Sequence, residues 1–154
     1  MKKFKKILSI VVLLLCTITL TSCAFKNVRK ERCKVISDYM DHAFTESDRK
    51  TMCATKKCST KYKNGTYIVN FITIETPEFI RAMKVGIDSG DLTIDDINWD
   101  SREEKYHELY YITEQYLKKE KDDSKIIINV KTSDDSICIC KIKNNEIYDC
   151  IYYD

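Results

Sequence analysis

The spacing of apolar positions changes several times along the chain, and each change marks an element. Ile7 to Leu20 carries no charge at all. From about Asn27 to Phe44, Val28, Arg32, Ile36, Tyr39, Met40 and Ala43 recur at steps of three and four, the period of a helix burying Ile36, Met40 and Ala43. The polar run TESDRKTMCATKKCST that follows has room for a short helix begun by Ser47 and ended before Lys56. Asn64-Gly65 then separates CSTKYK from TYIVNFITIE. Both positions of a tight hairpin turn need positive φ, so this pair predicts two antiparallel strands.

Thr76-Pro77-Glu78 opens a further helix with Phe79, Ala82, Met83 and Ile87 on one face, and Ser89-Gly90 stops it. In SREEKYHELYYITEQYLKKEK, Ser101 and Glu104 have capping-box spacing. Tyr106, Leu109, Tyr110, Thr113, Tyr116, Leu117 and Glu120 form one flank of that helix. KIIINVKT, SICICKIK and EIYDCIYY close the chain as three strands, divided at Asp134-Asp135 and Asn144-Asn145. With two-residue loops, one face of this meander carries Ile126, Ile128, Val130, Ile137, Ile139, Tyr148, Cys150 and Tyr152, and should receive the helices. The expected fold is α+β: an N-terminal helix, a β-hairpin, two helices and a C-terminal three-stranded antiparallel meander, in one layer pair.

Composition changes the picture mainly at the N-terminus. The chain has 154 residues, 26 basic and 24 acidic side chains, 3 Gly and 1 Pro. That is one domain, without the basic excess of a nucleic-acid binder or the composition of a disordered chain. MKKFKK supplies Lys2, Lys3, Lys5 and Lys6 ahead of the uncharged run, the order of a targeting signal. Fourteen helical residues, Ile7 to Leu20, span roughly 21 Å against a hydrocarbon core of roughly 30 Å, so a permanent membrane helix is disfavoured.

Leu20-Thr21-Ser22-Cys23 then reads as a branched apolar residue, two small residues and a cysteine. This resembles the lipobox of bacterial prolipoproteins, over residues 1–23 only. The resemblance implies a thioether-linked diacylglyceryl group on Cys23, cleavage between Ser22 and Cys23, and attachment to the outer side of the cytoplasmic membrane. Two acyl chains anchor stably where one is marginal. The alternatives are an ordinary secretory signal cut near Ser22 and an uncleaved helix. The implied organisation is a signal peptide at 1–22, a lipidated tether at 23–30 and a single small α+β domain at 31–154. The element order also resembles NTF2-like and cystatin-like α+β domains, in architecture alone, and such folds host many functions.

Without residues 1–22 the chain keeps 22 basic and 24 acidic groups, unevenly divided. Residues 24–74 hold 11 basic and 5 acidic groups, and residues 75–154 hold 11 and 19. Lys26, Arg29, Lys30, Arg32 and Lys34 follow the anchor, where each could add roughly 1 kcal/mol of attraction to anionic headgroups or simply solvate a tether.

Cys16 falls in the signal, leaving Cys33, Cys53, Cys58, Cys138, Cys140 and Cys150 beside Cys23. An even number of cysteines outside the cytosol makes them disulfide candidates. Free core thiols and a metal site are the alternatives, although the spacings do not match a zinc knuckle. Cys138 and Cys140 are expected on one side of their strand and Cys150 on the other.

His42 and His107 lie on predicted helices with no nucleophile signature nearby, so no catalytic residue is assigned. DSGDLTIDDINWD fails the calcium-loop pattern, with Thr93 at the glycine position and Trp99 at the twelfth, and no metal or other cofactor is assigned. Thr93 and Asp96 instead suit the cap of a short helical turn. Tyr106, Tyr110, Tyr111 and Tyr116 on one helix, with Tyr148, Tyr152 and Tyr153 near the end, suit either packing of that helix on the last strand or a binding patch. RKTMCATKKCSTKYK, six basic groups and no acid, is a second candidate patch. The sequence thus points to a membrane-anchored domain that binds a protein, envelope polymer or small ligand and no nucleic acid. The alternatives are a structural envelope component, or an envelope enzyme or thiol-redox protein.

Overall fold

A computed structural model describes residues 24–41 and 55–153. The chain divides into two compact units, residues 1–32 and 33–154. In the first, residues 24–32 are helical and mostly exposed, Phe25 and Val28 included. Helix α1 covers 24–41, so it begins before the expected Asn27. Its expected end at Phe44, with Ala43, and the short helix begun by Ser47 lie outside the described residues, as do Cys23, His42 and Cys53. Among the described residues no helix is long and apolar enough to cross a membrane.

In the second unit, residues 33–41 of α1 bury Cys33, Ile36 and Met40. Strands β1 (Thr55–Lys63) and β2 (Thr66–Thr73) form the expected hairpin, with Lys63 opposite Thr66. Asn64 and Gly65 adopt φ of 50° and 77°, the left-handed geometry that tight hairpin turns require. Helix α2 (Pro77–Ser89) is capped by the Thr76 hydroxyl, which accepts from the Phe79 N–H, and ends where Gly90 takes φ 80°. Its buried seam runs through Ile80, with Met83 and Ile87 half-buried. This seam turns Ala82 to solvent, contrary to its expected place on the inner face.

A 3-10 turn, Asp95–Ile97, precedes helix α3 (Trp99–Lys119). The Asp96 carboxylate accepts from the Thr93 N–H and hydroxyl at 2.7 Å each, the cap expected of that pair. The capping box at Ser101 and Glu104 does not form, because α3 starts at Trp99 behind Asn98 in a left-handed conformation. The apolar Ile97 and Trp99 bury the entry to the helix. The flank expected on α3 is largely buried, with Trp99 and Arg102 added, while Glu120 caps the C-terminus and is exposed.

Strands β3 (Lys125–Lys131), β4 (Cys138–Lys143) and β5 (Glu146–Tyr148) form the C-terminal meander. β2 and β3 pair in parallel, joining hairpin and meander into a five-stranded sheet in the order β1-β2-β3-β4-β5. A parallel pair needs a long crossover, which α2 and α3 supply.

The loops keep the expected registers of Lys131 with Cys138 and Lys143 with Glu146. Between these points a bulge lets Val130 pair with Cys140. An extra residue in one strand exchanges its faces. Beyond the bulge the core face of β4 is therefore Cys140 and Ile142, with Ile139 also buried, and the expected alternation through Ile137 and Ile139 is not kept. Cys138 pairs with Lys131 off the core face, so Cys138 and Cys140 do not share a side. Tyr148, expected inside, pairs with Lys141 and is exposed. Cys150 and Tyr152 are still buried, because the chain turns at Asp149 (φ 52°) and the Ile151 N–H bonds the Ile139 carbonyl at 2.8 Å.

The core lies between one sheet face and the helices. It holds Tyr67, Val69 and Phe71 of β2, Ile126, Ile128 and Val130 of β3, and Tyr106, Leu109 and Leu117 of α3, among others.

Candidate functional site

The most unusual buried feature is ionic. Arg102 and Glu75 are each about 2% exposed at their side chains, with Arg102 Nη1 donating to Glu75 Oε1 at 2.5 Å. Two links position Glu75 just past β2. Its N–H donates to the Thr73 hydroxyl at 3.3 Å, and its carbonyl accepts from the Ser133 N–H at 2.7 Å. Arg102 also donates from Nε to the Ile97 carbonyl at 2.9 Å, stapling the 3-10 turn to α3. Burial pushes the Glu75 carboxyl up, and the Arg102 charge pulls it part of the way back.

The rings of Tyr106, Tyr152 and Tyr153 stand edge-on to Trp99, at centroid distances of 6.1, 5.5 and 5.5 Å. Burial, then the nearby Glu75 charge, raises the Tyr152 phenol. This cluster joins the start of α3 to the C-terminal segment beyond β5, where Tyr152 and Tyr153 were expected to lie on the last strand. Sequence reasoning missed its ionic centre. The signal for half of it was present, since Arg102 falls at helical spacing between Trp99 and Tyr106. Glu75 sits in a connection where no periodicity applies.

Among the described residues Cys33, Cys58, Cys138 and Cys150 are free thiols, and Cys140 is buried. Burial raises the pKa of Cys33, Cys138 and Cys150, with Lys141 and Lys131 drawing Cys138 back in part. Cys58 is pushed up to about 12 by burial and then by the Asp41 charge. Thiols of this kind are protonated near neutral pH and poor nucleophiles.

His107 has Nδ1 3.2 Å from Asn145 Oδ1 and Nε2 3.5 Å from Glu103, at the exposed junction of α3 with the β4–β5 turn. Three aspartates at and beyond the end of α2 are engaged locally. Asp88 pairs with Lys84 at 2.8 Å, Asp91 accepts from the Ser89 hydroxyl at 2.7 Å, and Asp96 caps its turn. Among the described residues no three His, Cys, Asp or Glu side chains converge on one point.

One concave feature of the second unit is a groove of about 300 Å³ between residues 35–40 of α1 and residues 111–119 of α3. Ile36, Met40, Ile112 and Tyr116 line it together with Val35, Tyr39 and Tyr111, which are 41, 56 and 58% exposed. Gln115 and Lys119 supply its polar groups. Two aromatic rings held in water beside a mouth of apolar side chains make a surface suited to an apolar or aromatic group. The tyrosine patch anticipated from sequence thus separates into a set around Trp99, with Tyr106 and Tyr152 buried and Tyr153 exposed, and a set at this groove, with Tyr111 exposed and Tyr116 half-buried. Tyr39 was read there only as a helical position.

The chain matches no protein-family model, no curated protein and no solved structure.

Proposed function

We propose that this protein is a lipoprotein, anchored at the outer side of the cytoplasmic membrane through diacylglycerol on Cys23, whose α+β domain binds a partner in the groove between α1 and α3. The groove is the observation that carries the binding half of this reading. It exposes Tyr39, Tyr111 and Val35 over an apolar floor and sets Lys119 and Gln115 at its wall. The ligand class that fits is an apolar or aromatic group bearing an acidic or polar end. The raised thiol pKa values support binding over thiol chemistry. The order Lys2 to Lys6, uncharged run, Leu20-Thr21-Ser22-Cys23 supports the anchor.

Each half has its own test. Palmitate should label the wild-type chain in cells, and Cys23→Ser should abolish labelling and release the chain from the membrane fraction; a labelled, membrane-held variant ends the lipoprotein reading. For the groove, anilinonaphthalene sulfonate should bind the folded protein with enhanced fluorescence. Tyr111→Ala should weaken that binding several-fold while far-ultraviolet circular dichroism stays unchanged. Equal binding by the variant would remove the groove from the proposal.

A further inference from the structure

The sheet has a second face, and its charge is one-sided. Strand registers place Lys57, Ser59, Lys61 and Lys63 of β1 opposite Ile72, Asn70, Ile68 and Thr66 of β2, on the side away from Tyr67, Val69 and Phe71. Lys125, Ile127, Asn129 and Lys131 of β3 continue these rows, followed by Lys143, Lys141 and Cys138 of β4. Seven lysines therefore share one face with Glu146 of β5 as its acid. Lys131 and Lys141 pair with Asp135 and Asp149 at the margin. Lys57, Lys61, Lys63, Lys125 and Lys143 are exposed, and no carboxylate lies in salt-bridge range of them among the described residues.

Protection of an edge strand accounts for the lysines of β1. It does not account for Lys125 and Lys143, which lie on strands paired on both sides.

At strand and residue spacings of about 4.8 and 6.8 Å, Lys61, Lys63, Lys125 and Lys143 surround Ile68 and Ile127 in a patch about 15 Å across. Ile68, Ile72 and Ile127 are half-buried, and Asn129 bonds Asn70 side chain to side chain at 2.9 Å, so the centre is level and its amides are partly committed. Residues 77–119, the helices against the opposite face, carry ten acidic and six basic groups. The unit is thus basic on its open sheet face and acidic on its helical side.

We propose that this sheet face docks on a bilayer of anionic phospholipids, with the headgroup phosphates against the lysines and the acidic helices turned away. A broad surface engages all the unpaired lysines together, whereas a small anion reaches only those that stand side by side on neighbouring strands. The docking depends on the lysines and not on lipid at Cys23.

The test uses the full chain reconstituted in vesicles of phosphatidylcholine, alone or mixed with phosphatidylglycerol. Lysine acetylation is read by mass spectrometry, and flotation measures the chain held by each vesicle. Lys57, Lys61, Lys125 and Lys143 should acetylate several-fold more slowly on anionic vesicles, while Lys118, paired with Glu114 on α3, is unaffected. About 1 M salt, with a Debye length of about 3 Å, should remove the protection. The triple variant K61Q/K63Q/K143Q should expose Lys57 and Lys125 again, since each lysine contributes about a fivefold factor. Equal acetylation on both vesicles overturns the proposal. So does protection by soluble polyphosphate on phosphatidylcholine vesicles without protection on anionic ones, which would make a free polyanion the ligand. Palmitate labelling of Cys23 reads the anchor separately, so either idea can fail alone.

Discussion

The two faces of this sheet are built from alternate residues of the same strands, yet they solve the placement of charge in opposite ways. The inner face meets the helices and excludes water. The charges that enter there, Glu75 and Arg102, are paired and tied to backbone groups. The outer face is open to water and carries five of its seven lysines outside any ion pair among the described residues, at little cost. The contrast shows that a charge on this fold is expensive or cheap according to its face. The inner pair is tied to stability, while the outer lysines are free to serve recognition.

The largest effect should come from breaking the inner pair. Arg102→Ala leaves a buried carboxylate without its partner and should cost about 3–5 kcal/mol by denaturant unfolding. Replacing both groups with apolar residues, Glu75→Leu with Arg102→Met, should recover most of that loss. If the single variant costs no more than the double, the unpaired carboxylate is not the source of the loss.

The pH dependence of stability sharpens the comparison further. The Glu75 carboxyl is raised in the fold, so above its ordinary pKa the native state holds a proton that the unfolded chain has lost. Stability from this group therefore falls as pH rises from the ordinary value to the raised one, then levels off. Glu75→Gln should flatten that segment of the stability profile, and a segment as steep as wild type would assign the slope to another group. The smallest effect belongs to the outer face. K61Q/K63Q/K143Q should change unfolding stability by less than about 0.5 kcal/mol per site, the ordinary range for surface substitutions. A larger loss would mean that these lysines hold the sheet together.

Much of the local structure was legible. Asn64-Gly65 specifies its hairpin because few other residue pairs tolerate two positive φ values, and Thr76 with Pro77 specifies the start of α2 because the cap geometry is local. Face assignments were less secure wherever one residue could slip. The bulge before Cys140 reversed the inner side of β4 and separated Cys138 from Cys140. The start of α3 moved to Trp99 because burying that ring outweighs the capping box available at Ser101. Of the candidate surfaces, the tyrosine-rich helix and the lysine-rich stretch were both visible as composition. Neither could be drawn as a surface from one strand or helix alone.

The sequence by itself determined the α+β class, the element order and the tight turns, because each depends on neighbours within a few residues. Only the tertiary structure decided that β2 and β3 pair in parallel, that Glu75 meets Arg102 across 27 positions, and that lysines from β1, β3 and β4 share one face. Those outcomes depend on which strands pair and on how the crossover packs. Such long-range choices are settled by burial over the whole core, which no local pattern encodes.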